Sequence, residues 1–525
     1  SPLERAGLVK IDLLGNRSLA VLRDCLELCS REAEPPPAAR SWEAFNPVDE
    51  PSARALIESG GTLGVFYIES PATRQLLLKM RVADYRHLVA ASSIIRPAAN
   101  RCVNEYVRRL RGESWERLPE SVESCLKETY GIMVYQEDVS RVSMAAAGFS
   151  AEDADRLRKT LSKKRGSPKL AEYRERFFAG CAERGVGEAA TEELWAMMLS
   201  FDGYSFCKAH SASYALVSYR LAWMKANRPG YFIASVINNG GGFYGTQAYL
   251  GEARRLGFRI LPPSVNESGL AYMLDPADPS SLRVGLRQVR SLSDACASSI
   301  VRERAARGAF TSALDLMRRI DPAYLDYRAL ARSGCLDSLP LADGAGQAAI
   351  RPALLWAYHH WRSGPQRDCA ELFPTLEPPA CIRDYTRAKK LADEKEFLGL
   401  LVSTPPAALF QARALALARS KAWPTPSPAE NFPARIGRRT SALGIAVAGK
   451  EVFTVNGDAM CFMSFEDGSC VYECVLFPQA YRLLMPILEE NGAFLLLGTV
   501  RDDLGAVALH VDDAASLNRP SRGER

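Results

Sequence analysis

Phosphate chemistry requires carboxylates on rigid elements and clustered cations, and the sequence offers both. In Gly7-Leu-Val-Lys-Ile-Asp-Leu-Leu-Gly-Asn16, Val9, Ile11 and Leu13 alternate onto one face of an expected strand, leaving Lys10 and Asp12 on the other. Asp12 is thus carried ahead of a Gly-Asn turn and a helix with Leu19, Leu22 and Leu26 inward. Taken alone it reads as an ordinary solvated carboxylate on a half-buried strand. Further on, Ser150 and Asp153 have the spacing of a capping box. The helix they open carries Arg156, Arg158, Lys159, Lys163, Lys164 and Arg165 before Gly166, with Leu157 and Leu161 anchoring its other side. Six cations within ten residues make either a solvated helix face or a cradle for phosphates. Lys208 and His210 are expected in a short polar turn between two apolar helical segments, the second continuing through Tyr214, Ser218 and Leu221. A lone histidine in such a place is commonly a structural residue.

Several units must position these residues, because 525 residues exceed an ordinary domain of roughly 100 to 200, and three or four units are expected. Proline-rich breaks at Pro35–Pro37, Pro262–Pro263, Pro374–Pro379 and Pro424–Pro433 are the candidate linkers. Between the first two, periods such as Leu194, Met197, Met198 and Phe201 predict helices, and helical spacing from Val284 through Ile300 and from Ala313 through Ile320 extends that character beyond the second. After Pro433 the texture changes to short apolar runs: Ala442–Val447, Val452–Val455, Ala459–Phe465, Val471–Phe477, Phe494–Val500 and Val507–Val511. Around five strands, interrupted by one helix over Pro478–Glu490, suggest a small barrel compatible with an OB-fold.

Composition narrows the class. Hydrophobic residues make up 47% and charged residues 24%, as in soluble globular proteins, which excludes disordered, collagen-like and membrane-spanning classes. Apolar runs such as Ala493–Leu497 fall far short of the ~20 residues of a spanning helix. A net charge of +5 is small for this length, so charge alone does not argue for nucleic acid. The 13 cysteines form no CxxC pair, the nearest being Cys25/Cys29 and Cys470/Cys474, which fits reduced thiols in a cytoplasmic protein rather than a zinc site or disulfide scaffold. The sequence opens on Ser1 without a charged-then-apolar leader, so the expectation is a piece of a longer, non-secreted protein.

A resemblance joins these features. The Gly7–Asn16 stretch resembles the palm segment of bacterial DNA polymerase III alpha subunits, the C-family polymerases. It continues collinearly through Glu69-Ser-Pro-Ala-Thr-Arg-Gln-Leu-Leu77, Ile95-Arg-Pro97, Tyr130-Gly-Ile-Met-Val-Tyr-Gln-Glu137, Arg158-Lys-Thr-Leu-Ser-Lys-Lys-Arg165 and the run from Phe201 to Tyr219. Val284–Ala297 and Arg307–Asp315 resemble the family's tandem helix-hairpin-helix region, with Ser291-Leu-Ser293 where Gly-x-Gly is usual. Ala392–Gly399 matches its helix leading toward the OB domain. The resemblance implies a multidomain, mainly α architecture with fingers and a helix-hairpin-helix region, a C-terminal OB β-barrel and a short N-terminal α/β palm remnant. The expected limits are 1–34 for the end of the palm, 38–261 for fingers, 264–373 for the helix-hairpin-helix region, 380–423 for a helical connector and 434–514 for the OB-fold.

The resemblance also implies roles. Asp12 stands at the third metal-binding aspartate, sharing two Mg²⁺ ions with aspartates of a Pro-Asp-x-Asp motif that these residues lack. Arg96, Arg158, Lys159, Lys163, Lys164, Lys208 and His210 are the nucleotide-side candidates. Arg287 and Arg290 are candidates for DNA phosphates in a hairpin whose helices are equally packing elements. Arg435, Arg438, Arg439 and Phe462 are candidates for single-stranded template on the barrel. In Cys369-Ala-Glu-Leu-Phe373, Leu372 and Phe373 are candidates for filling a pocket on a sliding clamp, although the usual leading Gln is missing. The implied activity is DNA-directed DNA polymerase, with primer-template DNA, dNTP and other holoenzyme or mutagenesis subunits as partners and no membrane. Replicative and error-prone types both stay open. The alternative is a non-catalytic nucleic-acid-binding remnant of such a polymerase.

Overall fold

The computed structural model describes residues 15–32, 36, 45–95, 100–161, 168–201, 207–343, 347–363, 377–454, 456–489 and 492–518. Side-chain caps and prolines set many of the helix starts. The Asn16 side chain accepts from the Ser18 amide at 3.0 Å and opens α1 (Arg17–Ser30). Prolines open α2 (Pro51–Glu58) and α3 (Pro71–Met80), since a missing donor costs nothing in a first turn. Asp84 caps α4 (Tyr85–Ile94) through the His87 amide at 3.1 Å. There follow α5 (Asn100–Leu110), α6 (Glu120–Leu126), α7 (Gln136–Ala147), α8 (Ala151–Leu161), α9 (Pro168–Glu183) and α10 (Glu188–Leu199). The helical body closes with α11 (Lys208–Asn227), α12 (Pro229–Asn238) and α13 (Thr246–Arg255).

The 20-residue α11 is the post of this body, packed by α1, α2, α4 and α12 and burying Ser211, Ala215, Ser218, Tyr219, Leu221, Ala222 and Met224. Small residues along it let the neighbouring helices approach closely. Near its end the Lys225 ammonium is buried and donates to Gly61 O (2.7 Å), Leu63 O (2.8 Å) and Glu252 Oε1 (2.6 Å). A buried cation persists only when fully partnered, and these three acceptors tie α11 to α13 and to the turn before α3.

The expectation of helical character on both sides of Pro262–Pro263 is corrected locally by a three-stranded sheet. It consists of β1 (Arg259–Leu261), β2 (Met273–Asp275) and β3 (Asp278–Arg283), in the order β1-β3-β2 with β1 parallel and β2 antiparallel to β3. Strands of three residues carry no alternation to read. The helical period drawn from Val284 to Ile300 is likewise broken: Ser291 takes φ 66, and the helix starts only after the Ser293 cap. Then come α14 (Asp294–Arg307), α15 (Ala313–Ile320), α16 (Tyr324–Ser333), α17 (Arg351–Ser363), α18 (Arg387–Leu398) and α19 (Gln411–Ser420). Asp393 of α18, fully buried, accepts from Lys389 at 2.8 Å and from Arg332, which joins α18 to α16.

The C-terminal part is a closed five-stranded barrel, β4 (Arg439–Phe453), β5 (Ala459–Glu466), β6 (Val471–Leu476), β7 (Ala493–Asp503) and β8 (Ala506–Ser516), in the order β4-β5-β6-β8-β7. The parallel pair β6/β8 and α20 (Pro478–Leu488) between β6 and β7 complete an OB-fold. The run read as Ala442–Val447 and the start of the run read as Val452–Val455, Val452 and Phe453, belong to one strand, β4. It bends at a register shift between Ala446 and Ala448 and pairs first with β7, then with β5. Cys461, Met463 and Phe465 alternate inward with Cys474, Leu476, Phe494, Leu496, Val500, Leu509 and Val511 to fill the barrel.

The barrel rests on the helical body at two places. Arg255 Nη1 of α13 reaches Glu466 Oε1 at 3.2 Å, over Gly251, where a Cβ would lie 2.1 Å from that oxygen. The β7–β8 turn is held by Lys79 Nζ to Asp503 Oδ2 (2.5 Å) and Arg111 Nη2 to Leu504 O (2.6 Å). Among the described residues no helix is long and apolar enough to cross a membrane.

Candidate functional site

Arg158 of the cationic helix and Cys207, the residue just before the Lys-Ala-His segment, meet at one cleft. It is lined by Gln136, Glu137, Ser140 and Arg141 of α7, Asp155 and Arg158 of α8, and Cys207 just before α11. Its floor is rigid. Val139, Val142, Ser143 and Ala146 bury one side of α7, and Leu157 and Leu161 anchor α8 as their spacing predicts. Ser150 caps α8 through the Asp153 amide (3.1 Å), but the Asp153 carboxylate pairs with Arg176 (2.8 Å), so only half of a capping box forms.

Arg158 is held from two sides. Its Nε and Nη2 donate to Asp155 Oδ1 at 3.0 and 2.8 Å, and its Nη1 donates to Gln136 Oε1 at 2.9 Å. Lys159 pairs with the other oxygen of Asp155 at 2.7 Å. Lys208 and His210 occupy the first turn of α11 rather than a separate polar turn. Two residues apart on a helix, they point about 200° apart. The Lys208 ammonium pairs with Glu128 and lies 5.3 Å from the centre of the Tyr135 ring, and its backbone N–H donates to Glu137 Oε2 at 3.2 Å. The His210 ring turns the other way, with its centre 4.2 Å from that of Tyr214 and 6.4 Å from that of Tyr67. The fold thus brings Arg158 and the start of α11 together through Gln136 and Glu137 and directs the His210 ring elsewhere. Basic residues at a helix start add to the positive end of its dipole and suit an anion.

Beneath the cleft, Asp138 of α7 is buried and accepts from the Val134 and Tyr135 amides at 2.9 and 2.8 Å. Burial nevertheless raises its carboxyl to about 6. Asp12, Arg96, Lys163, Lys164, Leu372 and Phe373 lie outside the described residues. Among the described residues no group of three or more His, Cys, Asp or Glu is arranged to hold a metal ion.

In the hairpin before α14, Arg287 is exposed and pairs with Asp294 at 3.1 Å. Arg290 turns to the end of α18, where a Cβ on Gly399 (φ 73) would meet its guanidinium at 2.2 Å, so it packs against the connector. On the barrel, Arg438 and Arg439 are exposed and Arg435 is half-buried in the turn before β4. Cross-strand partners share a face, and the register runs Arg439–Thr499–His510–Val475–Phe462–Lys450 around the outside. Phe462 is 39% exposed, and Phe477, 47% exposed, sets its ring edge-on 5.1 Å from that of His510. This row joins Arg439 to Phe462 and adds Lys450, Phe477 and His510, which strand spacing within one segment does not reveal. Asp155 was legible as the acid three and four residues before Arg158 and Lys159, whereas Glu128 and Glu137 are joined to Lys208 only by the fold.

The molecule is thus a helical body with a charged cleft, followed by hairpin-linked helices and an OB barrel. Residues 18–185 match the family model of the bacterial DNA polymerase III alpha subunit finger domain, and residues 257–344 match that of the helix-hairpin-helix motif. The chain is 29% identical to the DNA polymerase III subunit alpha of Saccharopolyspora erythraea, over 98% of this chain and 44% of that protein. It is 30% identical to the error-prone DNA polymerase of Anaeromyxobacter dehalogenans strain 2CP-C (98% and 46%). It is also 30% identical to the DNA polymerase III subunit alpha of Thermus aquaticus (95% and 41%). The chain is therefore similar, along nearly its whole length, to the bacterial DNA polymerase III alpha subunits and error-prone DNA polymerases. It spans less than half the length of these curated relatives.

Proposed function

We propose that the chain is the part of a bacterial DNA-directed DNA polymerase that carries the fingers (38–261), the helix-hairpin-helix region (264–373), the connector (380–423) and the OB-fold (434–514), with the end of the palm at 1–34. It serves the addition of deoxynucleotides to a primer 3′ end in replication or error-prone repair synthesis, in the cytoplasm. The observation that carries this reading is the cleft where Arg158 and the start of α11 meet on finger helices. There the guanidinium, Lys159, Lys208 and the helix end bind the triphosphate and aim its α-phosphate at the primer, with Lys163, Lys164 and Arg96 as further contacts, while His210, whose ring turns toward Tyr67 and Tyr214, serves the nucleotide from outside this cleft. Fixing reactants in line is most of what phosphoryl transfer asks of a protein.

Asp12, an oxygen donor of the kind Mg²⁺ takes, holds metal together with carboxylates from outside these 525 residues. Mg²⁺ held there would supply activation of the primer hydroxyl and neutralisation of the leaving pyrophosphate. One carboxylate does not hold two ions, and no Pro-Asp-x-Asp stretch occurs in the sequence, so on this reading these residues bind DNA and nucleotide without polymerising. Arg287 and the outer row of the barrel take the DNA, and Leu372 and Phe373 take a sliding clamp.

The test is a titration of the purified chain with fluorescent dNTP and primed duplex, beside a primer-extension assay. Binding of both without extension is expected; steady extension, or binding of neither, overturns the reading. A non-catalytic nucleic-acid-binding remnant is the second reading, favoured by the carboxylate partners that Arg158, Lys159 and Lys208 already have. A start codon and promoter immediately upstream of the Ser1 codon would support it, and an in-frame Pro-Asp-x-Asp segment there would exclude it.

A further inference from the structure

We infer that Gln136 and Glu137 are positioning residues that set the spacing between the two halves of the phosphate cradle. The inference rests on the nucleotide-binding reading of the cleft. Gln136 accepts Arg158 Nη1 from α8 at 2.9 Å, and the next residue, Glu137, accepts the backbone N–H of Lys208 from α11 at 3.2 Å. Neighbouring residues in the first turn of a helix diverge by about 100°, so one dipeptide can grip two different elements. Both grips start from a fixed base, because Asp138 pins the same turn to the Val134 and Tyr135 amides and the buried side of α7 lies in the core.

The arrangement is more than generic capping. Cys207, the residue that precedes α11, supplies no side-chain cap, and the first amide of this 20-residue helix is met instead by a carboxylate 71 residues away in sequence. Arg158, for its part, needs an orienting group. Asp155 lies on its own helix and fixes Nε and Nη2, whereas Gln136 fixes the remaining Nη1 against α7. A guanidinium held at three nitrogens presents its charge in one direction, at little entropic cost when a ligand arrives. Removing either grip therefore leaves both cations in place but lets the distance between them drift.

The opposing possibility is that Glu137 merely stands in for an absent phosphate at the end of α11. The two ideas differ in sign, because a stand-in competes with the ligand and a positioning residue helps it. The experiment uses the 525-residue chain with inorganic triphosphate and a deoxynucleoside triphosphate as probes, each with Mg²⁺, and reads dissociation constants together with amide hydrogen exchange at Lys208. Glu137→Ala is expected to speed exchange at that amide and weaken both probes about tenfold, and Gln136→Ala to weaken them about threefold. Glu137→Gln keeps a side-chain oxygen acceptor and is expected to stay within about twofold of the parent. Arg158→Ala is the control for the cleft. Faster exchange with unchanged or tighter binding in Glu137→Ala, while Arg158→Ala loses binding, overturns the inference and leaves the cleft intact. If the parent and Arg158→Ala both fail to bind either probe, the nucleotide reading falls and this inference with it. A thermal-unfolding check on each variant separates lost positioning from lost folding, and Glu137→Gln decides the case should Glu137→Ala unfold.

Discussion

The backbone N–H of Ser293, at the end of the helix-hairpin-helix turn, is given to Asp326 Oδ1 at 2.6 Å, and the Ser293 hydroxyl reaches the other oxygen of that carboxylate at 3.1 Å. The preceding Ser291 adopts φ 66, a conformation glycine takes freely, so the turn keeps a hairpin shape without its usual glycines. Its donor, however, faces a carboxylate of the same chain. If this turn meets DNA, Asp326→Ala frees an amide and removes a negative charge beside the phosphates. Duplex affinity should then rise several-fold at low salt, with the log–log salt slope steeper by about one. Fluorescence anisotropy across a potassium chloride series checks this; an unchanged slope assigns the turn to packing.

Lys208 and Glu128 form a pair whose side chains are 44% and 36% exposed. Such pairs are worth about 0.2–1 kcal/mol, little enough for phosphate oxygens to displace the carboxylate. Lys208→Ala should weaken triphosphate binding by roughly three- to tenfold, and Glu128→Gln should strengthen it by about two- to threefold. Opposite signs in the two titrations are the required result.

Asp138 supplies a pH dependence. Burial lifts its carboxyl from 3.8 to about 6 in the folded chain, so the folded state binds a proton that the unfolded state releases. That contribution is fully present below pH ~4 and is lost as the pH rises through ~6, amounting to roughly 1–3 kcal/mol. Asp138→Asn cannot ionise, so its urea-unfolding free energy should change less between pH 4 and 7 than that of the parent. Equal slopes would contradict the shift.

On the barrel, Phe462 and Arg439 share the outer row but differ in chemistry. Phe462→Ala should cost roughly 1–3 kcal/mol in single-stranded DNA binding with little change in salt slope, as loss of one stacking platform does. Arg439→Ala should instead flatten the slope by about 0.7. Titration of an oligothymidylate at several salt concentrations tells the two apart. Should neither variant differ from the parent, the strand runs elsewhere.

Local periodicity was a reliable guide wherever burial is one-sided over many residues. Ala313–Ile320 is the helix its spacing predicts, and the alternation of Cys461, Met463 and Phe465 marks a barrel strand, because each pattern repeats with the period of its element. The stretch around Tyr130–Glu137 was visible as a resemblance, yet nothing in its spacing tells that Gln136 and Glu137 hold different helices. Strands β1 and β2 stayed hidden because three residues show no period and their pairing is long-range, Arg259 lying opposite Ser281. The division of Lys208 from His210, the meeting of Asp326 with Ser293 and the outer row from Arg439 to Lys450 depend on which elements pack side by side. Side-chain periods are local properties of the backbone, whereas the direction in which a charge faces is set by contacts between segments far apart in the chain, and those exist only once the core has closed.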